Sequence, residues 1–182
     1  MKTILIAGLG NPGKQFEKTR HNAGFMFLDY FQGENTDIFS YWKADKKLKS
    51  EISAGKTNNK KIILLKPQTF MNHSGEAVLA AKKYFKVRLT DIFVAHDEID
   101  LPLGKHRFST GSSSAGHNGA QNIIDRLGTK NFTRLRIGVE NRSDKTEIPT
   151  EKYVLGKLTN EELKTLKTKF KASVSELATK FI

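Results

Sequence analysis

The sequence predicts a single α/β domain spanning residues 1–182, and three observations point to it. Apolar segments alternate in kind along the chain: some are short and β-branched, others carry helical periodicity, the pattern of strands interleaved with helices. The first apolar run, Ile4-Leu5-Ile6-Ala7, stops at the glycines of Gly8-Leu9-Gly10-Asn11-Pro12-Gly13, so a buried strand brings its C-terminal end to a tight surface turn. In open α/β sheets, ligands bind at that end. A chain of 182 residues can also bury roughly 70% of its unfolded surface in one domain, enough for a core without covalent staples.

In chain order, residues 4–9 read as that first strand and residues 22–31 as a helix with Asn22 as a candidate N-cap. Residues 48–54 alternate with period two and residues 61–66 form a β-branched run closed by Pro67, which predicts a hairpin around Thr57-Asn58-Asn59. A helix is expected over 74–85, a strand over 91–96 that ends in acids, and a short strand over 104–109. Residues 118–127 form the next helix, stopped by Gly128 at the C′ position, and residues 133–139 alternate again. Thr159 opens the last helix, with Glu162 completing a capping box. Leu163, Leu166, Phe170, Val174, Leu177 and Phe181 trace one apolar face along it. Two segments carry no clear element: residues 39–47, polar and basic around Tyr41-Trp42, and the Gly/Ser run 110–116, expected to be mobile and placed to act as a lid.

Charge narrows the partners. Thirty-one Lys and Arg against 19 Asp and Glu leave a net charge of +12, which fits a polyanionic ligand, although the basic clusters have no aromatic ladder for stacking along a single strand. The absence of cysteine excludes disulfides, thiolate metal sites and a thiol nucleophile. The opening apolar run is too short for a secretory leader and nothing reads as a membrane span, so a cytoplasmic protein is expected.

Several chemistries fail on spacing. The GxGxxG of residues 8–13 lacks the helix that should follow the third glycine and the second strand ending in an acid, so dinucleotide binding is not favoured. Around His96-Asp97-Glu98-Ile99-Asp100, no three ligands converge locally, and neither HExxH nor an EF-hand loop is present; no metal is expected. Ser112 to Ser114 lack the strained elbow that activates a nucleophilic serine. What remains is a histidine near one strand end and an aspartate at another: a carboxylate bonded to one imidazole nitrogen leaves the other free to take a proton from water. Asn11, Asn72 and Asn118 fall beside strand or loop ends, where neutral amides can orient a carbonyl or stabilise an oxyanion.

GLGNPG with TRHNAG at 19–24, KPQTFMNHSG at 66–75, HDEIDLPLG at 96–104 and GHNGAQNII at 116–124 together resemble the bacterial peptidyl-tRNA hydrolase family, in order and over nearly the whole chain. The resemblance implies a twisted mixed β-sheet flanked by helices, and cleavage of the ester between a peptide and the 3′ ribose of tRNA without metal or other cofactor. It makes His21 the base that activates water, Asp97 its orienting group and Asn72 a helper at the reacting carbonyl. Asn11, Phe16, Phe70, Met71, His117, Asn118, Arg107 and Arg134 would contact the substrate or the tRNA, whose acceptor stem and CCA end are the expected partner of a monomeric enzyme. An RNA-binding module of the same fold without turnover is the competing expectation. The chain departs from the family pattern at Phe16, usually tyrosine, at Ser109, often basic, at Ser112-Ser113-Ser114-Ala115, mostly glycine in relatives, and at Gln121-Asn122.

Overall fold

The computed structural model describes residues 1–57 and 59–181, the side chain of Phe181 excepted. Its elements are β1 (Lys2–Gly8), α1 (Ala23–Gly33), β2 (Lys43–Asp45), β3 (Ser50–Thr57), β4 (Lys60–Pro67), α2 (Ser74–Tyr84), β5 (Ile92–Pro102), β6 (His106–Thr110), α3 (Asn118–Leu127), β7 (Thr133–Glu140), α4 (Thr150–Val154) and α5 (Asn160–Phe181). Seven strands make one sheet in the order β2-β3-β4-β1-β5-β7-β6. The sheet is mixed: β1 is parallel to β4 and β5, and β5 to β7, while β2, β3 and β6 join antiparallel at the two flanks.

Central position explains the uninterrupted apolar run of β1, because a parallel strand is covered on both faces. Ile4 and Ile6 face the core under α1 and α5, with Phe27, Leu28, Phe170 and Leu177. Leu5 and Ala7 face the opposite core under α2 and α3, with Val78, Ala81 and Ile123. The capping box of α5 is formed as expected: Thr159 N–H donates to Glu162 Oε2 at 2.6 Å, and Glu162 N–H to Thr159 Oγ1 at 3.2 Å. Gly128 closes α3 at φ +68°.

Other expectations are corrected. The strand expected to stop at residue 96 runs on to Pro102, pairing Asp97 with Ile137 and Glu98 with Gly138 on β7 before a bulge, so the acids lie on the strand rather than beyond it. Strand β2 occupies the segment left unassigned around Tyr41-Trp42, and α4 was not expected at all. Strand β7 is buried on both faces instead of alternating. Asn22 stands at the N-cap of α1 but makes no cap bond. The β3–β4 hairpin pairs Ser50 with Pro67 through Thr57 with Lys60, while its turn residue Asn58 and the Phe181 side chain lie outside the described residues. Among the described residues no helix is long and apolar enough to cross a membrane.

One close approach positions the site. A Cβ on Gly24 would collide with the Ala95 carbonyl and the Leu9 amide, and one on Gly8 would collide with the Gly24 carbonyl. These two glycines let the start of α1 sit directly against the ends of β1 and β5, which carries the preceding 3₁₀ turn, Arg20–Asn22, to the end of β5.

Candidate active site

His21 and Asp97 lie 76 positions apart in sequence and meet at hydrogen-bond distance, His21 Nδ1 standing 2.9 Å from Asp97 Oδ1 and 3.0 Å from Oδ2. His117 Nε2 approaches Asp97 Oδ1 from the other side at 2.8 Å. The His117 tautomer follows from its second nitrogen: Nδ1 accepts the Ala120 N–H at 3.2 Å and caps α3, so the proton sits on Nε2 and is donated to Asp97. His21 likewise donates from Nδ1. Its Nε2 is left with a lone pair, the form a general base requires.

Burial and charge oppose each other here. Asp97 is 2% exposed; burial favours its neutral form, but His117 and His21 outweigh that and hold its carboxyl well below the usual carboxylate range. Burial alone would lower His21, and the charge and hydrogen bond of Asp97 overcome it, leaving its pKa above the ordinary 6.5. Behind the couple, the fully buried His96 donates from Nδ1 to the Asp97 carbonyl at 2.6 Å and packs its ring 4.4 Å from that of His117. Burial is the first cause that keeps His96 well below its ordinary value. A neutral ring therefore backs the charged centre.

The segment that carries His21 is tied at each step. Asn22 Oδ1 accepts the Asn11 N–H at 2.8 Å and Asn22 Nδ2 donates to the Asn11 carbonyl at 3.0 Å, a reciprocal clamp that sequence reasoning missed by assigning Asn22 to capping. Asn11 Oδ1 then accepts the Met71 N–H at 2.8 Å, so its Nδ2 has no protein partner among the described residues. Arg20 donates to Glu162 at 2.7 Å and lies 4.4 Å over the Tyr153 ring, anchoring the turn to α4 and α5.

The remaining expected residues fall into three places. His21, Asp97, His117 and Asn118 line a crevice of about 130 Å³ whose far wall is Thr150 and Val154 of the unexpected α4. Asn11 borders a wider groove of about 750 Å³ that continues past Gly13 and Lys66. Asn72 is exposed on the 3₁₀ turn Met71–His73 ahead of α2, and Met71 beside it is buried. Phe70 is 53% exposed, at φ +57°, with its ring edge-on to Phe16 at 6.4 Å. Arg107 is exposed on β6. Arg134, expected to reach the tRNA, is 1% exposed and donates from Nη2 to the Ser113 carbonyl at 2.5 Å, so its guanidinium holds the 110–116 loop from inside instead of facing a ligand. The altered pair at 121–122 also has a local use, because Asn122 Oδ1 accepts the Gly75 N–H at 2.8 Å and joins α3 to α2.

Local spacing gave no metal set, yet folding gathers one ligand atom each from His21, Asp97 and His117 within 4.8 Å. Both ring nitrogens facing the carboxylate are engaged as N–H donors in the arrangement seen. A cation would have to displace both protons.

The peptidyl-tRNA hydrolase family model matches residues 5–181. A peptidyl-tRNA hydrolase of Prochlorococcus marinus is 40% identical over 177 residues, covering 96% of this chain and 87% of that protein. One of Bacillus cytotoxicus is 41% identical over 162 residues, 87% of this chain and 82% of its own length. The crystal structure of the Acinetobacter baumannii peptidyl-tRNA hydrolase superposes with a TM-score of 0.86 at 34% identity, covering 97% of this chain and 87% of that one. Arabidopsis thaliana 5′-methylthioadenosine nucleosidase, at 9% identity and a TM-score of 0.57, shares the fold alone. With its motifs, its sheet and nearly its whole length matched, the chain belongs to the peptidyl-tRNA hydrolase family.

Proposed function

We propose that this chain hydrolyses the ester joining a peptide to the 3′ ribose of tRNA, with His21 as general base and no metal. The His21–Asp97 couple carries the reading: Nδ1 is committed to the carboxylate, so Nε2 takes a proton from water as the water oxygen bonds to the ester carbonyl carbon. The tetrahedral intermediate collapses with cleavage of the bond to the ribose oxygen, and the imidazolium returns its proton to that oxygen. Tautomer control matters because a ring free to flip its proton would present N–H, not a lone pair, to the water. Asn11 Nδ2 is available to bind the substrate carbonyls, and Asn118 in the crevice and the exposed Asn72 offer further neutral donors. An ester expels an alkoxide far more readily than an amide expels an amine, so one base and a few amide donors suffice.

The net charge of +12 supports binding of the polyanionic acceptor stem and CCA end, by a monomer acting in the cytoplasm. An intact base and orienting carboxylate argue against a binding module without turnover. The deciding experiment is release of peptide from purified peptidyl-tRNA by the wild type and His21→Ala, each with and without a chelator. The variant should lose about 10² to 10⁴ in kcat while still binding tRNA. Unchanged turnover removes His21 from the mechanism, and chelator-sensitive wild-type turnover would assign a cation to the His21, Asp97 and His117 cluster.

A further inference from the structure

The end of the sheet remote from His21 carries a charge pattern that the cleft chemistry does not use. Lys56 and Lys61 are register partners on the antiparallel β3–β4 pair, so two ammonium groups project from one face side by side, an arrangement that destabilises a sheet. Lys61 Nζ lies 5.2 Å over the Phe85 ring, which joins this hairpin to the C-terminal end of α2 and to Lys82, Lys83 and Lys86. Among the described residues none of these five lysines is within ion-pair distance of a carboxylate, whereas neighbouring Lys2 and Arg88 share Asp91 at 2.8 and 2.7 Å. The local charge is left uncompensated.

Backbone geometry adds an independent observation. Helix α2 closes with Val87 N–H donating to the Lys82 carbonyl at 2.9 Å and Lys86 N–H to the Lys83 carbonyl at 3.3 Å, with Lys86 at φ +52°. Glycine relieves strain at that position, and this chain carries a lysine there. Tyr84 beside it is 66% exposed, its ring set edge-on to Phe85 at 4.8 Å. The helix dipole accounts for Lys82 and Lys83, but not for the hairpin lysines or the bare aromatic. Helix α2 starts beside the Met71–His73 turn and, at 1.5 Å per residue, its 11 residues carry this pole about 16 Å from that turn.

We propose that this pole is a second RNA-binding surface, which grips the phosphate backbone of an RNA other than the acceptor end held in the cleft and offers Tyr84 as a stacking face for an unpaired base. Lysines supply sequence-independent phosphate contacts, and an exposed aromatic among them distinguishes a nucleic acid from a generic polyanion. An anionic membrane is the weaker fit, because an interfacial helix presents a wide apolar face and α2 buries Val78 and Ala81 against the sheet.

The test measures binding of a labelled RNA hairpin with a single-stranded tail and no CCA end, by fluorescence anisotropy across a salt series. K82E/K83E/K86E should weaken binding by about tenfold or more and flatten the log–log salt slope by about 2. Tyr84→Ala should weaken it about fivefold. Both variants should hydrolyse a short acceptor-stem substrate at the wild-type rate, which also shows that they are folded. K164E/K169E/K171E, the same charge change on α5, should keep wild-type affinity. The proposal is overturned if the first triple variant binds as the wild type does, or if the α5 control loses as much. It also fails if the hairpin competes with substrate for the cleft, or if only uptake by anionic lipid vesicles responds to the substitutions.

Discussion

The two walls that meet on Asp97 are built differently. On the His21 side, Asn11, Thr19, Arg20 and Asn22 are buried, and each makes side-chain hydrogen bonds that fix the turn. Among the described residues, against Arg20 Nε alone on the His21 side, Ser109 Oγ, Ser112 Oγ and Arg134 Nη1 are buried without partners on the His117 side. The loop between them hangs on the Arg134 bond to Ser113 and on His117 N–H donating to the Ser114 carbonyl at 3.0 Å. Unpaired buried polar groups are expensive, so the loop side is the one with free energy to gain by rearranging. The contrast is between a wall whose side chains are mostly tied, around the base, and a wall whose loop is loosely held.

The largest effect should come from the residue both walls share. Asp97→Asn should lower kcat about 10³- to 10⁴-fold, because the amide no longer enforces the Nδ1–H tautomer. Single-turnover peptide release measures this, and a loss under tenfold would mean that the His21 wall alone orients the ring. The pH profile sharpens the point. His21 must be neutral to act, so the acid limb of kcat/KM should lie above pH 6.5 in the wild type and move below it in Asp97→Asn, where burial is left unopposed. For stability the sign is opposite: a raised pKa means that the charged pair stabilises the fold fully below about pH 6.5 and that this contribution disappears as pH rises through the folded value.

Removing the clamp on the fixed wall should come next. Asn22→Ala strands a buried N–H and a buried carbonyl of Asn11, and should cost about 2 to 4 kcal/mol by urea unfolding. A change under about 0.5 kcal/mol, the size typical of plain surface substitutions, would erase the distinction between the walls. The smallest effect is assigned to Arg134→Met. Among the described residues its guanidinium is not within ion-pair distance of a carboxylate, so stability should shift by under about 1 kcal/mol while KM rises about two- to fivefold as the loop loosens. A collapse of kcat instead would place the loop among the parts that aim the base.

Local rules were enough wherever structure is local. The capping box at Thr159 and Glu162, the Gly128 stop and the β3–β4 hairpin each rest on residues close in sequence. Strand β2, with three residues at the sheet edge, and α4, with five, are too short to show periodicity and exist through packing. The extension of β5 through its acids depends on pairing with β7, about 40 positions away by register, which no window along the chain can display. At the site, His21, Asp97 and the asparagines stood out by residue type and family likeness. The Asn22 clamp, the second imidazole on Asp97 and the burial of Arg134 are contacts between distant segments. They were not legible because asparagine before a helix reads as a cap and arginine in a basic run reads as surface.

The place of β1 at the middle of the sheet has a consequence for the birth of the protein. Its neighbours β4 and β5 are made much later than β1 itself, and such long-range parallel pairing is slow to close. While being translated, the chain is itself a peptide esterified to tRNA, yet no base–carboxylate couple exists until the second half has emerged and docked. The base and its carboxylate therefore come together only after the strand that carries Asp97 has paired beside β1.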